Sequence, residues 1–346
     1  MIANLGKSQS YGVGIRGLGY YVPEKIVTNH DLAKRIDTSD EWIRTKIGVR
    51  ERRWAAEHQA LSDLAVEAGR RALENAGLEP GDIDLIVLAR VDPDHIDPST
   101  AFLVQHKLGM KHAGAFDAVI GGCPGSVYGI AIGANFVASG SCKNVLVIAG
   151  DILSRNILNW DDRNTCCFFG DGAGAMVLGR VEKGKGIQTY LLDVDGSRYD
   201  ACIIPAGGTR MPITRENVDD AKVRYLRMDN GAVWNFATTV FPQSIQQVAA
   251  AAGIDVQNID FVIPHQANIN IIKLSMEKLG LGMEKTHTTI EKYGNTGGAS
   301  PFITLTEAVE LGKVKAGDKV ALVSFGAGLA WAAMLVEWNE KHDFIE

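Results

Sequence analysis

The chain has 346 residues, of which 46% are apolar and 22% charged, and its formal net charge is −6. Such a composition supplies a large core and excludes a disordered chain, while the acidic balance argues against a nucleic-acid binder working through its overall field. The length suits two fused or interlocked units better than one simple domain.

In chain order, Gly12-Val13-Gly14-Ile15-Arg16-Gly17 matches a dinucleotide-binding spacing, with Asp37 twenty residues beyond Gly17. No strand pattern precedes it and Leu18–Val22 reads as strand, so no helix start would meet a pyrophosphate, and such a site is rejected. A basic run follows, Arg44, Lys46, Arg50, Arg52 and Arg53, opposed there only by Glu51. It reads as a solvated face, or more sharply as a contact for a phosphate-bearing ligand. Ala65–Ala76 reads as a helix stopped by Gly77, and Ile83–Val87 as a buried strand.

The apolar run Ala115–Ile120 then leads into Gly121-Gly122-Cys123-Pro124-Gly125 and a helix over Ser126–Ala138. Strand, glycine turn, cysteine, helix is the cysteine form of a nucleophile elbow. Glycines allow the sharp turn, and Pro124 suits a first helical turn. Free backbone N–H groups and the dipole at a helix start favour an anion, so this position predicts a thiolate at Cys123. That matters because an ordinary thiol is only roughly 3% ionised at pH 7 and the thiolate is the nucleophile.

Val145–Ala149 reads as a strand covered on both faces. Cys166-Cys167 read as core within a strand-like run ending at Phe168-Phe169, and Gly170–Gly174 reads as a tight turn into a strand at Ala175–Leu178. Pro205–Arg227 reads as a polar insertion, and Ser244–Ala252 as a helix ended by Gly253. No apolar run qualifies as a membrane span: Gly129–Ala138 is interrupted by Asn135 and ends at Ser139-Gly140. Five cysteines, an odd number, without a basic-then-apolar leader fit free thiols in a cytoplasmic protein. Neither CxxC pairs nor an HExxH run occurs, so no metal is expected.

Sliding the chain against itself by 176 residues aligns its halves without gaps. Ile83-Asp84-Leu85-Ile86-Val87 falls on Ile259-Asp260-Phe261-Val262-Ile263, and Gly121-Gly122-Cys123 on Gly297-Gly298-Ala299. Lys143–Val147 falls on Lys319–Val323, and Gly150 on Gly326. Each half reads helix, buried strand, strand, glycine turn, helix, buried strand, which predicts two packed α/β units, residues 1–180 and 181–346. The second half carries Ala299 where the first carries the thiol. Its polar groups lie in Pro264-His265-Gln266-Ala267-Asn268 and in Gly294-Asn295-Thr296. If the halves pack about a pseudo-twofold, Cys123, His265 and Asn295 converge.

Over Gly12 to Trp338 these features resemble the thiolase-fold condensing enzymes, specifically the β-ketoacyl-acyl-carrier-protein synthase III family. The resemblance rests on Thr38-Ser39-Asp40-Glu41-Trp42-Ile43, the cysteine elbow, Phe169-Gly170-Asp171-Gly172-Ala173-Gly174-Ala175, Pro264-His265-Gln266-Ala267-Asn268 and Gly294-Asn295-Thr296. It implies an α/β fold of five layers, αβαβα, built from two duplicated halves, and a homodimer. It also implies a Cys123, His265, Asn295 triad. An acyl group passes from acyl-CoA to Cys123. Malonyl on acyl carrier protein then loses CO2 and attacks it. The backbone N–H groups of Cys123 and Ala327 would hold the oxyanion, with alanine where the family usually has glycine. His265 and Asn295 would donate to the enolate oxygen. An amide cannot take up a proton, which favours decarboxylation over a thiolase-type reaction. Trp42 would stack on adenine with Arg163 on the other face, Lys46 would lie near the CoA phosphates, and Asn268 and Phe325 would line the substrate path. No cofactor is implied beyond the CoA thioesters themselves.

Some positions depart from the family. Asn235 and Asn270 stand where basic residues often dock the carrier protein, and Glu277 precedes Lys278 where a Lys-Lys pair is common. Asp97 replaces an aromatic that closes the partner protomer's acyl pocket. A carboxylate beside an alkyl starter is costly unless solvated or paired, so an unusual starter or acceptor, as in secondary metabolism, is the alternative. A cysteine α/β-hydrolase would lack the duplication, and a non-catalytic partner subunit would have no need of an intact triad.

Overall fold

Two five-stranded sheets organise the molecule, whose structure is a computed structural model describing residues 1–4, 11–120 and 122–345. Gly121, the first glycine of the elbow, lies outside the described residues. In chain order the sheet strands are β1 (Ile2–Asn4), β2 (Gly12–Tyr21), β3 (Leu85–Ala89), β4 (Gly114–Ala118) and β5 (Val145–Asp151). They continue with β6 (Gly172–Val181), β7 (Ile187–Val194), β8 (Phe261–Pro264), β9 (Lys319–Gly326) and β10 (Ala330–Glu337). One sheet runs β2-β6-β5-β3-β4 and the other β1-β7-β10-β9-β8. The helices that matter here are α1 (Asp40–Lys46), α2 (Leu61–Ala76), α3 (Gly125–Ala138), α4 (Arg163–Cys166), α5 (Asn230–Ala252), α6 (Ile269–Lys278), α7 (Ile290–Tyr293) and α8 (Ser300–Glu310).

The duplication reappears as geometry. β3 pairs in parallel with β5, and β8 with β9 in the same sense. β5 and β9 are each flanked on the other side by an antiparallel strand, β6 and β10. α3 and α8 lie between the sheets, while α2 covers the outer face of the first sheet and α5 with α6 that of the second. The result is five layers, αβαβα, as the family resemblance implies. The sheet margins depart from the symmetry. β4 extends the first sheet in parallel, and its counterpart is reduced to one bridge between Val262 and Thr286.

Apolar runs buried on both faces make β3, β5 and β9 possible, since each is covered by helices above and below. α3 approaches its sheet closely because it carries glycine at the contact: a Cβ on Gly133 would come within 2.9 Å of a Val147 methyl. The middle layer buries Val127, Ile130, Ala134 and Val137 of α3 with Phe302 and Leu305 of α8 between Val147 on one side and Leu322 on the other. Both predicted helix stops hold, with Gly77 and Gly253 left-handed at φ 69° and 78°.

Three readings change. α5 begins at Asn230, well before Ser244, because Pro242 and Gly231 mask its continuity in the sequence while Asp229 caps it by accepting from the Ala232 N–H. Cys166 closes a short helix instead of lying in a strand. Arg52 is fully buried, donating to Val27 O, Asn29 Oδ1 and Cys167 O, so it belongs to the core and not to a basic face.

The chain ends exchange lobes. β1 pairs antiparallel with β7 of the second sheet, with the terminal amine donating to Leu192 O at 2.9 Å. Conversely, Phe344 bridges Val181, and the Ile345 N–H donates to Arg180 O in the first lobe.

Candidate active site

A cavity of about 420 Å³ opens between the two lobes, bordered by Cys123, His265, Asn295, Asn268, Phe325 and Ala327. Leu153, Ile157, Leu226 and Met228 supply much of its apolar wall, and the last two come from the Pro205–Arg227 stretch and its margin. Ordered apolar walls with few convergent polar groups are what a substrate pocket requires.

Cys123 stands at the turn into α3. Gly122 makes that turn at φ +77°, and a Cβ there would press to 3.0 Å against Val91. The backbone is fixed from the other lobe as well, since Ser324 Oγ donates to Cys123 O at 2.7 Å. The predicted thiolate is not found. Burial pushes the Cys123 thiol well above the ordinary value, and Cys202 and Asp151 add to the effect. Desolvation outweighs the helix dipole here, because the field of one helix start is smaller than the cost of an unpaired charge in an apolar chamber.

His265 follows β8 and is fixed by its own N–H, which donates to Val323 O at 2.8 Å. Its Nδ1 lies 2.7 Å from Ser300 Oγ, and that oxygen also accepts the Gln266 N–H at 3.0 Å. The ring meets Phe325 edge to face at 5.5 Å. Burial lowers its pKa to about 3, so the imidazole is neutral across the working range. With Nδ1 committed to Ser300, Nε2 is the ring nitrogen left for the cavity.

Asn295 is held by two backbone bonds, its N–H to Phe168 O and its carbonyl from the Gly170 N–H. Its Oδ1 accepts the Gly297 N–H at 2.9 Å, which leaves the Nδ2 hydrogens as donors. The loop is clamped from below. Glu307 on α8 accepts from Tyr293 Oη at 2.8 Å, Lys292 Nζ at 3.2 Å and His287 Nε2 at 3.1 Å.

Trp42, Lys46, Arg163 and Asp97 do not border this cavity. Trp42 and Arg163 nevertheless meet, the guanidinium lying 5.0 Å from the indole centroid. It covers one face of the indole. Lys46 is exposed at the end of α1, and its carbonyl accepts from Asn268 Nδ2 at 2.9 Å. Asn268 Oδ1 caps α6, so both ends of that amide serve structure. Asn270 is likewise spent on Thr45 O and Lys46 O. Asp97 is exposed on the loop after β3.

Sequence reasoning missed Ser300, Asp151 and Cys202, all beside the catalytic candidates. Ser300-Pro301 opening a helix was a visible signal, because a hydroxyl at such a start is well placed to bond a neighbouring loop. Among the described residues there is no cluster of three or more His, Cys, Asp or Glu able to hold a metal, and no helix long and apolar enough to cross a membrane.

Residues 116–196 match the family model for 3-oxoacyl-[acyl-carrier-protein (ACP)] synthase III, and residues 249–338 match the model of its C-terminal part. The beta-ketoacyl-[acyl-carrier-protein] synthase III of Caldanaerobacter subterraneus is 47% identical over 332 residues, spanning 96% of this chain and 99% of that protein. Synthase III 1 of Bacillus anthracis is 44% identical over 328 residues, 95% of this chain and 99% of that one. Among solved structures, 3-oxoacyl-[acyl-carrier-protein] synthase III of Aquifex aeolicus superposes with a TM-score of 0.87 at 39% identity, covering 94% of this chain and 100% of the other. The priming β-ketosynthase of the R1128 polyketide pathway gives 0.88 at 30% identity, covering 96% and 98%.

Proposed function

The chain belongs to the β-ketoacyl-[acyl-carrier-protein] synthase III family, and on that premise we propose which of its residues carry each step of the family's reaction. It is a condensing acyltransferase of fatty-acid biosynthesis: an acyl group from acyl-CoA is joined to malonyl-acyl carrier protein with loss of CO2. The observation that carries the assignment is the meeting of Cys123, His265 and Asn295 in one cavity, each from a different loop and two of them from the opposite lobe.

In the first half-reaction Cys123 is the nucleophile. Because thiol and imidazole are both neutral at rest, His265 Nε2 takes the Sγ proton as the sulfur attacks the thioester carbon. The oxyanion forms against the N–H groups of Cys123 and Ala327, each such donor being worth about 3–4 kcal/mol. Collapse breaks the bond to CoA, whose sulfur leaves with the proton held on Nε2. In the second half-reaction the malonyl C–CO2 bond breaks and its electron pair moves onto the thioester as an enolate. Nε2–H of His265 and Nδ2 of Asn295 donate to the enolate oxygen. The enolate carbon attacks the acyl-Cys123 carbonyl, the Cys123 sulfur leaves, and one proton from solvent restores the thiol.

The two halves ask for opposite tautomers of His265. A hydroxyl partner serves both, because Ser300 Oγ can accept from Nδ1–H or donate to bare Nδ1. Trp42, Lys46 and Arg163 form the CoA end of the path in this reading, with no cofactor besides the substrates, in a cytoplasmic homodimer. A second reading concerns the starter. Asp97 of one protomer would face the acyl chain of its partner, and a carboxylate there favours a starter other than acetyl, as in secondary metabolism.

One experiment tests nucleophile and starter together. The protein is incubated with acetyl, longer, branched, aromatic and dicarboxylic CoA thioesters, then intact mass and peptide mapping are read. Acylation at Cys123 supports the assignment, and equal acylation of Cys123→Ala refutes it. A clear preference for acetyl rejects the second reading alone.

A further inference from the structure

The mechanism above leaves one buried acid of the same cavity unused. Asp151, the last residue of β5, is 1% exposed and borders the cavity that Cys123 borders. Its Oδ1 accepts two backbone N–H groups, Val91 at 2.6 Å and Asp92 at 3.3 Å, at the start of the loop after β3. Its Oδ2 is buried without any hydrogen-bond partner among the described residues. That oxygen is pressed against the loop that carries Asn295: a Cβ on Gly297 would lie 2.7 Å from it, so only glycine fits there.

The surroundings do not neutralise a carboxylate. Arg90, the basic side chain on the adjoining loop, is engaged by Nε with Asp117 at 2.8 Å. Asp92 on the same loop is itself acidic, and Asp171 immediately precedes the residue that pairs with Asp151 across the sheet. Cys123 faces it across the cavity, and the Gly297 side brings no charge. A carboxylate with one oxygen buried and unpaired takes up a proton in preference to staying charged.

We propose that Asp151 acts as a neutral acid beside Cys123, and that its loss of a proton opposes formation of the Cys123 thiolate. It acts through Cys123 and not on substrate, so it is a positioning residue. Negative charge builds on Sγ in both half-reactions, at the start of loading and again when the sulfur leaves. A second negative charge beside the same largely apolar cavity opposes both. Burial is also the leading cause that raises the Asp151 carboxyl to about 7, which puts the change of charge within the working range. Asp151 in turn is among the groups that raise the Cys123 thiol.

The proposal rests on Cys123 being the acylated residue, and the test separates the two. Iodoacetamide alkylation is followed by mass spectrometry, with the modified peptide mapped, between pH 6 and 9 in the wild-type protein and in Asp151→Asn. The amide keeps an acceptor for Val91 and Asp92 and carries no charge. The Asn variant and wild type should react alike at pH 6, and the variant should become about tenfold faster by pH 9, the effect of one unit in a thiol's pKa. A ratio that stays constant across pH overturns the proposal. Should Asp151→Asn fail to fold, the wild-type profile alone decides: log rate should climb by less than one per pH unit around pH 7, and a slope of one throughout overturns it. If the label never maps to Cys123, the assignment of the nucleophile fails instead.

Discussion

Replacing Ser300 by alanine removes a single hydroxyl that serves two buried neighbours. Oγ is 2.7 Å from His265 Nδ1 and accepts the Gln266 N–H at 3.0 Å, with Ser300 itself 1% exposed. The variant therefore strands a backbone N–H and a ring nitrogen where water does not reach. A buried unsatisfied group costs about 1–3 kcal/mol, so the pair should lower stability by roughly 2–6 kcal/mol, read as a fall in the urea midpoint with an unchanged slope. Catalysis should suffer separately, because among the described residues no other hydrogen bond holds the imidazole in either tautomer. Losing about 1–2 kcal/mol of orientation corresponds to roughly a 5–30-fold fall in CO2 release from malonyl-acyl carrier protein, in kcat and not in KM. Ser300→Thr keeps the hydroxyl and should recover most of the rate. A folded Ser300→Ala protein with unaltered stability and decarboxylation would refute the reasoning.

Cys123→Ala should abolish acyl loading, whereas His265→Ala or Asn295→Ala should slow CO2 release by about 100–1,000-fold while leaving measurable loading; the two half-reactions assayed apart decide this. With its pKa held near 3 by burial, His265 should show no ring-proton titration between pH 5 and 8 by NMR. Trp42→Ala should raise KM for acyl-CoA roughly tenfold, an effect absent with an acyl-pantetheine thioester lacking the nucleotide. Glu307 is driven upward by burial, but its bonds from His287 and Tyr293 and the nearby Lys292 outweigh this and lower its carboxyl to about 2. A depressed carboxylate pKa stabilises the fold above the unfolded value near 4.5 and loses that contribution as pH falls towards 2. The stability gap between wild type and Glu307→Gln, up to about 3 kcal/mol at pH 6, should therefore shrink by pH 3.

The architecture was largely legible because a duplication makes each half a control for the other. The register of Ile83–Val87 on Ile259–Ile263 anticipates β3 and β8 and so the parallel pairs beside β5 and β9. The same alignment puts Cys123 opposite Ala299, the residues that enter α3 and α8. What stayed hidden depends on distance in space rather than in sequence. Ser300 matters because α8 starts beneath His265, and Asp151 because the end of β5 abuts Gly297. Arg52 lies in a run that looks solvated, yet it is buried and donates to Val27 O and Asn29 Oδ1 on one segment and to Cys167 O on another. The ionisation of Cys123 was misjudged for a related reason. A helix start can be read from glycine and proline, but the depth of the chamber around it cannot.

Because each terminus is woven into the lobe it did not begin or finish, neither half can be excised cleanly. A fragment starting near Ile187 would bare the backbone of β7 as an unprotected edge, an invitation to mispairing between copies. During synthesis that margin also stays open until residues almost two hundred positions apart have met, so closure of both lobes is a late and shared event.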